Sequence, residues 1–222
     1  MGNKGFFILF VLVIIYAHWF CTTDRRADNK AVQKEIKDRE ILKVTEAQII
    51  NKVLEIGNSI SVNTQKTLGQ NLQKALQEGG VENAISFCNL NAMPLVDSLS
   101  KHFDAEIRRV TMKPRNQNDF PTDIEKELLE AYDYQWKDSL PMQSNVQTLE
   151  GDKYLFTKPI LVENALCLTC HGTFENGLLE ETKEFIKSKY PEDQATGYNI
   201  GDLRGMWSIT ISKKHVIQAM QF

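Results

Sequence analysis

Two cysteines three positions apart, followed at once by a histidine, constrain this 222-residue chain more than any other feature: Cys167-Leu168-Thr169-Cys170-His171. Thiols at that spacing can both add to the vinyl groups of one porphyrin, and the adjacent imidazole is then held under the iron. The pentapeptide is the attachment signature of c-type haem. A chain that carries it has to fold around a cofactor. The expectation is one covalent haem, with Cys167 and Cys170 as thioether donors and His171 as the proximal iron ligand. Gly172 follows, and the absence of a side chain would let the backbone turn away beneath the porphyrin.

The compartment follows from the cofactor. Covalent haem attachment is carried out on the outer side of the bacterial cytoplasmic membrane, so the chain must be exported. Its N-terminus fits that requirement. Lys4 precedes an apolar run from Phe6 to Ala17, extended by His18, Trp19, Phe20 and Cys21. A charged start and an apolar stretch form an export signal. Cys21 suggests a lipoprotein cysteine, but Phe20 stands where a small residue is expected before a cleavage site. The reading therefore leans to a retained anchor at the periplasmic face of the inner membrane, with a lipoprotein as the alternative. Arg25 and Arg26 oppose that orientation under the positive-inside bias; the haem argument outweighs them.

The expected organisation is an anchor or signal over residues 1–22, a charged linker over 23–43 and a haem domain over 44–222. The net charge is −3, and no basic stripe with interleaved aromatics is present, which argues against a nucleic-acid partner. Ile50, Val53, Leu54, Gly57 and Ile60, then Leu68, Leu72, Ala75 and Leu76, repeat at helical spacing until Gly79-Gly80. The pattern predicts one long helix kinked near residues 57–61. Residues 82–102 read as a second helix that Pro94 interrupts, and 123–136 as a third. Strands are expected at 106–112, 152–162 and 206–212, with a short helix over 178–190. Helices first and antiparallel strands after them predict an α+β domain.

The iron's sixth position decides what it can do. Cys88, His102, His215, Met93, Met112, Met142 and Met206 are the candidates, each with an ordinary alternative as packing or surface polarity. Arg115 and Arg204 suit bidentate pairing with the haem propionates, or equally a loop salt bridge.

Four separated segments add to this. Residues 84–89 (AISFCN), 113–121 (KPRNQNDFP), 190–198 (YPEDQATGY) and 201–205 (GDLRG) resemble, in order, the bacterial family of PAS-like c-type haem domains. The likeness runs from about Val44 to Ser212. It implies a PAS-like antiparallel sheet with long N-terminal helices, and iron held by His171 on one side and Cys88 on the other. The family loop usually reads RNPxN; here it is Arg115-Asn116-Gln117-Asn118. A thiolate ligand favours ferric iron and a low reduction potential. With both axial positions filled, a gas can bind only once a ligand leaves, which suits a redox or diatomic-gas sensor.

Two other functions compete. A periplasmic electron-transfer cytochrome uses the same cofactor and needs a redox partner protein. A thiol–disulfide oxidoreductase would use Cys167 and Cys170 without haem, but the βαβ context of a thioredoxin-like unit is missing. A structural zinc site from Cys88, Cys167, Cys170 and a histidine ranks lower, since no second CxxC is present. No constellation for hydrolysis or group transfer stands out, so no enzyme is expected.

Overall fold

The computed structural model describes residues 44–221, with positions 29, 30 and 32 before them; the apolar N-terminal run, Cys21 and most of the charged linker lie outside the described residues. The chain divides into two units, Met1–Val44 and Thr45–Phe222, and the second contains the CxxCH motif. Among the described residues no helix is long and apolar enough to cross a membrane.

Helix α1 (Glu46–Leu90) begins at a capping box in which Thr45 and Gln48 each bind the other's backbone N–H. Ile49, Val53, Gly57, Ile60, Thr64 and Leu68 follow at intervals of three and four and form its buried face. The expected kink near 57–61 is absent. Gly57 serves close packing instead, because a Cβ there would fall on the ring of Phe156. The break comes at Gly79 and Gly80, the latter at φ +70°, which glycine alone adopts without strain. Asn83 Nδ2 donates to the Ala75 carbonyl at 2.8 Å and so satisfies an acceptor that the break would strand. The helix then resumes and carries Ala84, Ile85 and Cys88.

The expected helix over 82–102 is two helices. α1 ends at Leu90, and α2 (Ala92–Phe103) starts after Asn91. Pro94 therefore lies in the first turn of α2, where a missing N–H costs nothing. It starts a helix and does not kink one. Asp104, left-handed at φ 48°, ends it and turns the chain into β1 (Ala105–Val110).

A 3₁₀ turn (Gln117–Asp119) and α3 (Asp123–Lys137) precede the hairpin β2 (Asn145–Leu149) and β3 (Lys153–Leu161). Gly151 and Asp152 both have positive φ, the hand that matches strand twist in a tight hairpin. Then come α4 (Ala165–His171), α5 (Glu180–Lys189), β4 (Leu203–Ser212) and α6 (Lys213–Ala219). The sheet is antiparallel throughout, in the order β1-β4-β3-β2.

Register places Ile107, Arg109, Trp207, Ile209, Ile211, Tyr154 and Phe156 on one face of the sheet, of which β3 and β4 pack against α1 and β1 against α2. Val110, Met206, Ser208 and Thr157 point to the other, where Leu129 and Tyr132 of α3 complete a core. β4 lies at the centre with both faces covered, so residues 205–209 are buried without alternation. This is an α+β domain with a long N-terminal helix and a four-stranded antiparallel sheet.

Candidate functional site

The CxxCH motif forms one short helix. Asn164 caps it by accepting from Leu166 N at 3.0 Å, and Gly172 N closes its last turn on the Leu168 carbonyl at 2.8 Å. Residues three and four apart share a helix face, so Cys167, Cys170 and His171 point the same way. Gly172 has a different reason from the one expected. Its φ is −77°, and a Cβ would collide with Asn176 Oδ1 and the Leu168 carbonyl, 2.6 Å away in the second case. Helix closure demands the glycine.

All three motif side chains line a cavity of about 250 Å³ between α1, α4 and the sheet. Its apolar walls come from Leu72, Leu76, Ala84, Ile85, Ile160 and Leu161, and its polar groups include Cys88, Arg109, Arg115, Asp119 and Arg204. Gly205 forms part of the floor, where a Cβ would stand 2.5 Å from the Val110 carbonyl. A wider cleft of about 750 Å³ runs along α2 and β1 but contains no cysteine or histidine.

His171 is fixed from behind. Its Nδ1 lies 2.7 Å from the Ala195 carbonyl, which can only accept, so Nδ1 carries the proton and Nε2 keeps its lone pair. Burial pushes the imidazole well below its usual range, and the positive charges of Arg115 and Arg204 add to this against the Ala195 hydrogen bond. A neutral ring with a free Nε2 is the form that binds a metal. Backbone bonds tie the same segment down, Tyr198 N to His171 O at 3.0 Å and Gly197 N to Gly172 O at 2.9 Å.

Arg115 locks that arrangement. Its Nε donates to Asp193 Oδ1 at 3.0 Å, and its Nη2 donates to the carbonyls of Cys170 at 2.6 Å and Ala195 at 3.3 Å. Asp193 also accepts from Ala195 N at 3.1 Å. One nearly buried ion pair thus grips both the end of the motif helix and the peptide that orients His171. Arg204 donates through Nη1 to Thr111 Oγ1 and the Lys113 carbonyl, with its guanidinium 5.3 Å from the Tyr198 ring centre.

Of the sixth-ligand candidates, Cys88 and Met93 line the cavity. Burial pushes the Cys88 thiol up, against the charges of Arg109 and Arg115, and burial pushes Cys170 up likewise. The Met93 sulfur accepts from Asn116 Nδ2 at 3.2 Å. The others lie elsewhere. Met142 and Met206 pack under α3, Met112 is exposed, His102 meets the Phe103 ring edge to face and His215 faces Asp104. Among the described residues no three Cys, His, Asp or Glu side chains converge as a metal-ion site, which leaves the zinc arrangement without geometry.

With motif, cavity and long helix in place, the comparison with known proteins is decisive at family level: the Tll0287-like family model matches residues 29–212. The chain belongs to the Tll0287-like family. The family match starts upstream of Val44 and ends at Ser212, where the resemblance carried by the four sequence segments also ends. The crystal structure of the cyanobacterial heme-protein Tll0287 matches with a TM-score of 0.50 and 27% identity, covering 72% of this chain and 95% of that one. No curated protein matches.

In this Tll0287-like chain, three site residues escape sequence reasoning. Asp193 and Ala195 lie in the 190–198 segment that carries the resemblance, but in an irregular loop whose partners no periodicity reveals. Arg109 follows Arg108 in β1, and only strand alternation separates them, Arg108 to one face and Arg109 to the cavity. The expected strand over 106–112 already contains that signal.

Proposed function

We propose that this chain is an exported c-type haem protein that senses redox state or a diatomic gas. The observation that carries the reading is His171, neutral, with Nδ1 anchored on Ala195, and sharing a helix face with Cys167 and Cys170 at the wall of an apolar, arginine-rimmed cavity. The donor set fits the group. Two thiols three residues apart suit two vinyl carbons, Nε2 suits iron, the apolar walls suit the porphyrin faces and the guanidinium groups suit its carboxylates. Haem bound there would supply one-electron redox chemistry and a coordination position for a small ligand.

In this arrangement Cys167 and Cys170 would hold the porphyrin, and His171 Nε2 and Cys88 would hold the iron. Arg115 and Asp193 keep the imidazole turned to the cavity. The two side chains are held unequally: His171 has the Ala195 hydrogen bond behind it, whereas the Cys88 thiol makes no hydrogen bond among the described residues. Cys88 is therefore the less firmly fixed of the two groups that would hold the iron. The sheet, with its first strand beside its last, supports a PAS-like description. The apolar run of residues 6–17 supports export with a membrane anchor, and the reading assigns binding and signalling, not turnover.

Absorption and EPR spectra of the exported full-length protein, wild type beside Cys88→Ala, test this. A Soret band that survives denaturation and acid-acetone extraction is expected, with a low-spin thiolate signature that the substitution abolishes. Extractable haem would remove the covalent assignment. A spectrum unchanged in Cys88→Ala would move the ligand to Met93, the other soft donor at the cavity.

A further inference from the structure

Three arginines line the cavity, and they differ in what already binds them. Arg115 is closed on itself by Asp193 and two carbonyls. Arg204 is held through Nη1 alone, so Nε and Nη2 have no hydrogen-bond partner among the described residues. The Arg109 side chain makes no hydrogen bond and no ion pair with any described residue, its charge reaching Asp119 only through space, although the side chain of its neighbour Arg108 makes four hydrogen bonds. A partly buried guanidinium carries five N–H donors that have lost some of their water, and leaving them unmade is costly. The single acid in the cavity lining is Asp119. With Arg115 neutralised by Asp193, the lining keeps Arg109 and Arg204 against that one carboxylate.

The surplus of cationic donors sits at the edge of apolar walls, so the matching ligand is flat and apolar with anionic groups on one side. A porphyrin with its two carboxylates has that form. Resting on the haem reading above, we infer that Arg109 and Arg204 form the carboxylate-binding pair of this site, and that Arg115 serves as the positioning residue for His171. Regular alternation would turn Arg204, three residues before Trp207, away from Arg109, which stands opposite Trp207. The register slips there, from Ile160 opposite Gly205 to Leu161 opposite Leu203, so Arg204 is the extra residue of a bulge, and its side chain lines the cavity together with that of Arg109. Fork-shaped donors there bind carboxylates in a fixed plane, which a lysine ammonium does not do.

The test uses the haem-loaded full-length protein, with Arg109→Gln and Arg109→Lys beside wild type, and reads two signals. One is the carboxylate bending band of the haem side chains in resonance Raman spectra. The other is the midpoint potential as a function of pH. Loss of a neighbouring cation raises a carboxyl pKa by about one unit or more. The acid limb of the potential curve should therefore move up by about one pH unit in Arg109→Gln, with the Raman band displaced, and Arg109→Lys should recover part of the shift. Both signals superimposing on wild type would overturn the assignment. So would loss of the low-spin thiolate signature with the band unmoved, because Arg109 would then serve Cys88. A wild-type protein without covalent haem would instead overturn the haem reading itself, and the Soret band after denaturation separates that failure from the others.

Discussion

Arg108 and Arg109 are adjacent in β1, chemically identical, and treated in opposite ways by the fold. On the α3 face, Arg108 Nη1 donates to both Glu125 oxygens at 3.0 and 2.8 Å, and Nη2 donates to the carbonyls of Asn118 and Phe120. Glu125 also accepts from Ser208 Oγ at 2.6 Å and from Thr122 N at 2.8 Å, so the carboxylate is fully satisfied although only 3% exposed. On the opposite face, the Arg109 side chain lines the cavity and makes no hydrogen bond or ion pair among the described residues. The contrast separates polar groups that hold the fold from polar groups kept for a ligand. A buried charge with all its partners made is structural; one left without them is an invitation to something else.

Four experiments would break or sharpen that contrast. Arg108→Ala strands the buried Glu125 charge and should cost about 3 kcal/mol in urea unfolding; a loss under 1 kcal/mol would mean the knot is ornamental. Arg115→Gln leaves Asp193 without its cation and should cost about 2 kcal/mol. That variant should also broaden the EPR signal of the haem-loaded protein, since Ala195 would no longer hold His171 in one orientation. The third effect depends on acid. Burial alone would push the Glu125 carboxyl up, but the hydrogen bonds from Ser208 and Thr122 and the Arg108 guanidinium outweigh it and the net shift is downward. A depressed folded pKa contributes stability that is present above the unfolded value of about 4.3 and is lost as pH falls through the folded one. The stability gap between wild type and Arg108→Ala should therefore narrow below about pH 4; a gap constant down to pH 2.5 would contradict the knot as described. Smallest of all, Arg109→Gln should change stability by no more than about 0.5 kcal/mol, because it removes no side-chain hydrogen bond or ion pair. A loss comparable to that of Arg108→Ala would show that Arg109 holds the fold after all.

Much of the fold was legible in residues. The long helix, the glycine break at 79–80, three of the four strands and the α+β class follow from periodicity and turn chemistry. β2 was not readable, because in Asn145–Leu149 the apolar residues Val146 and Leu149 are three apart and do not alternate. β4 extended three residues upstream of its expected start, since Gly205 looks like loop until the close approach of Val110 explains it. Pro94 misled for a related reason. A proline is a breaker or a helix starter according to where the preceding turn ends, and Asn91 decides that here.

The site divides in the same way. Cys167, Cys170 and His171 are a local pattern, legible because the chemistry itself demands contiguous residues. That local pattern was enough for the sequence alone to point to haem, and with the apolar run of residues 6–17 it carries the proposal of export. Bringing Cys88 across from α1, turning Nδ1 of His171 onto Ala195, pairing Arg115 with Asp193 and leaving Arg109 open were decided by tertiary structure alone. The contacts of His171 with Ala195 and of Arg115 with Asp193 join residues 24 and 78 positions apart. Their distances depend on how helices and strands pack, and not on anything a neighbouring residue dictates.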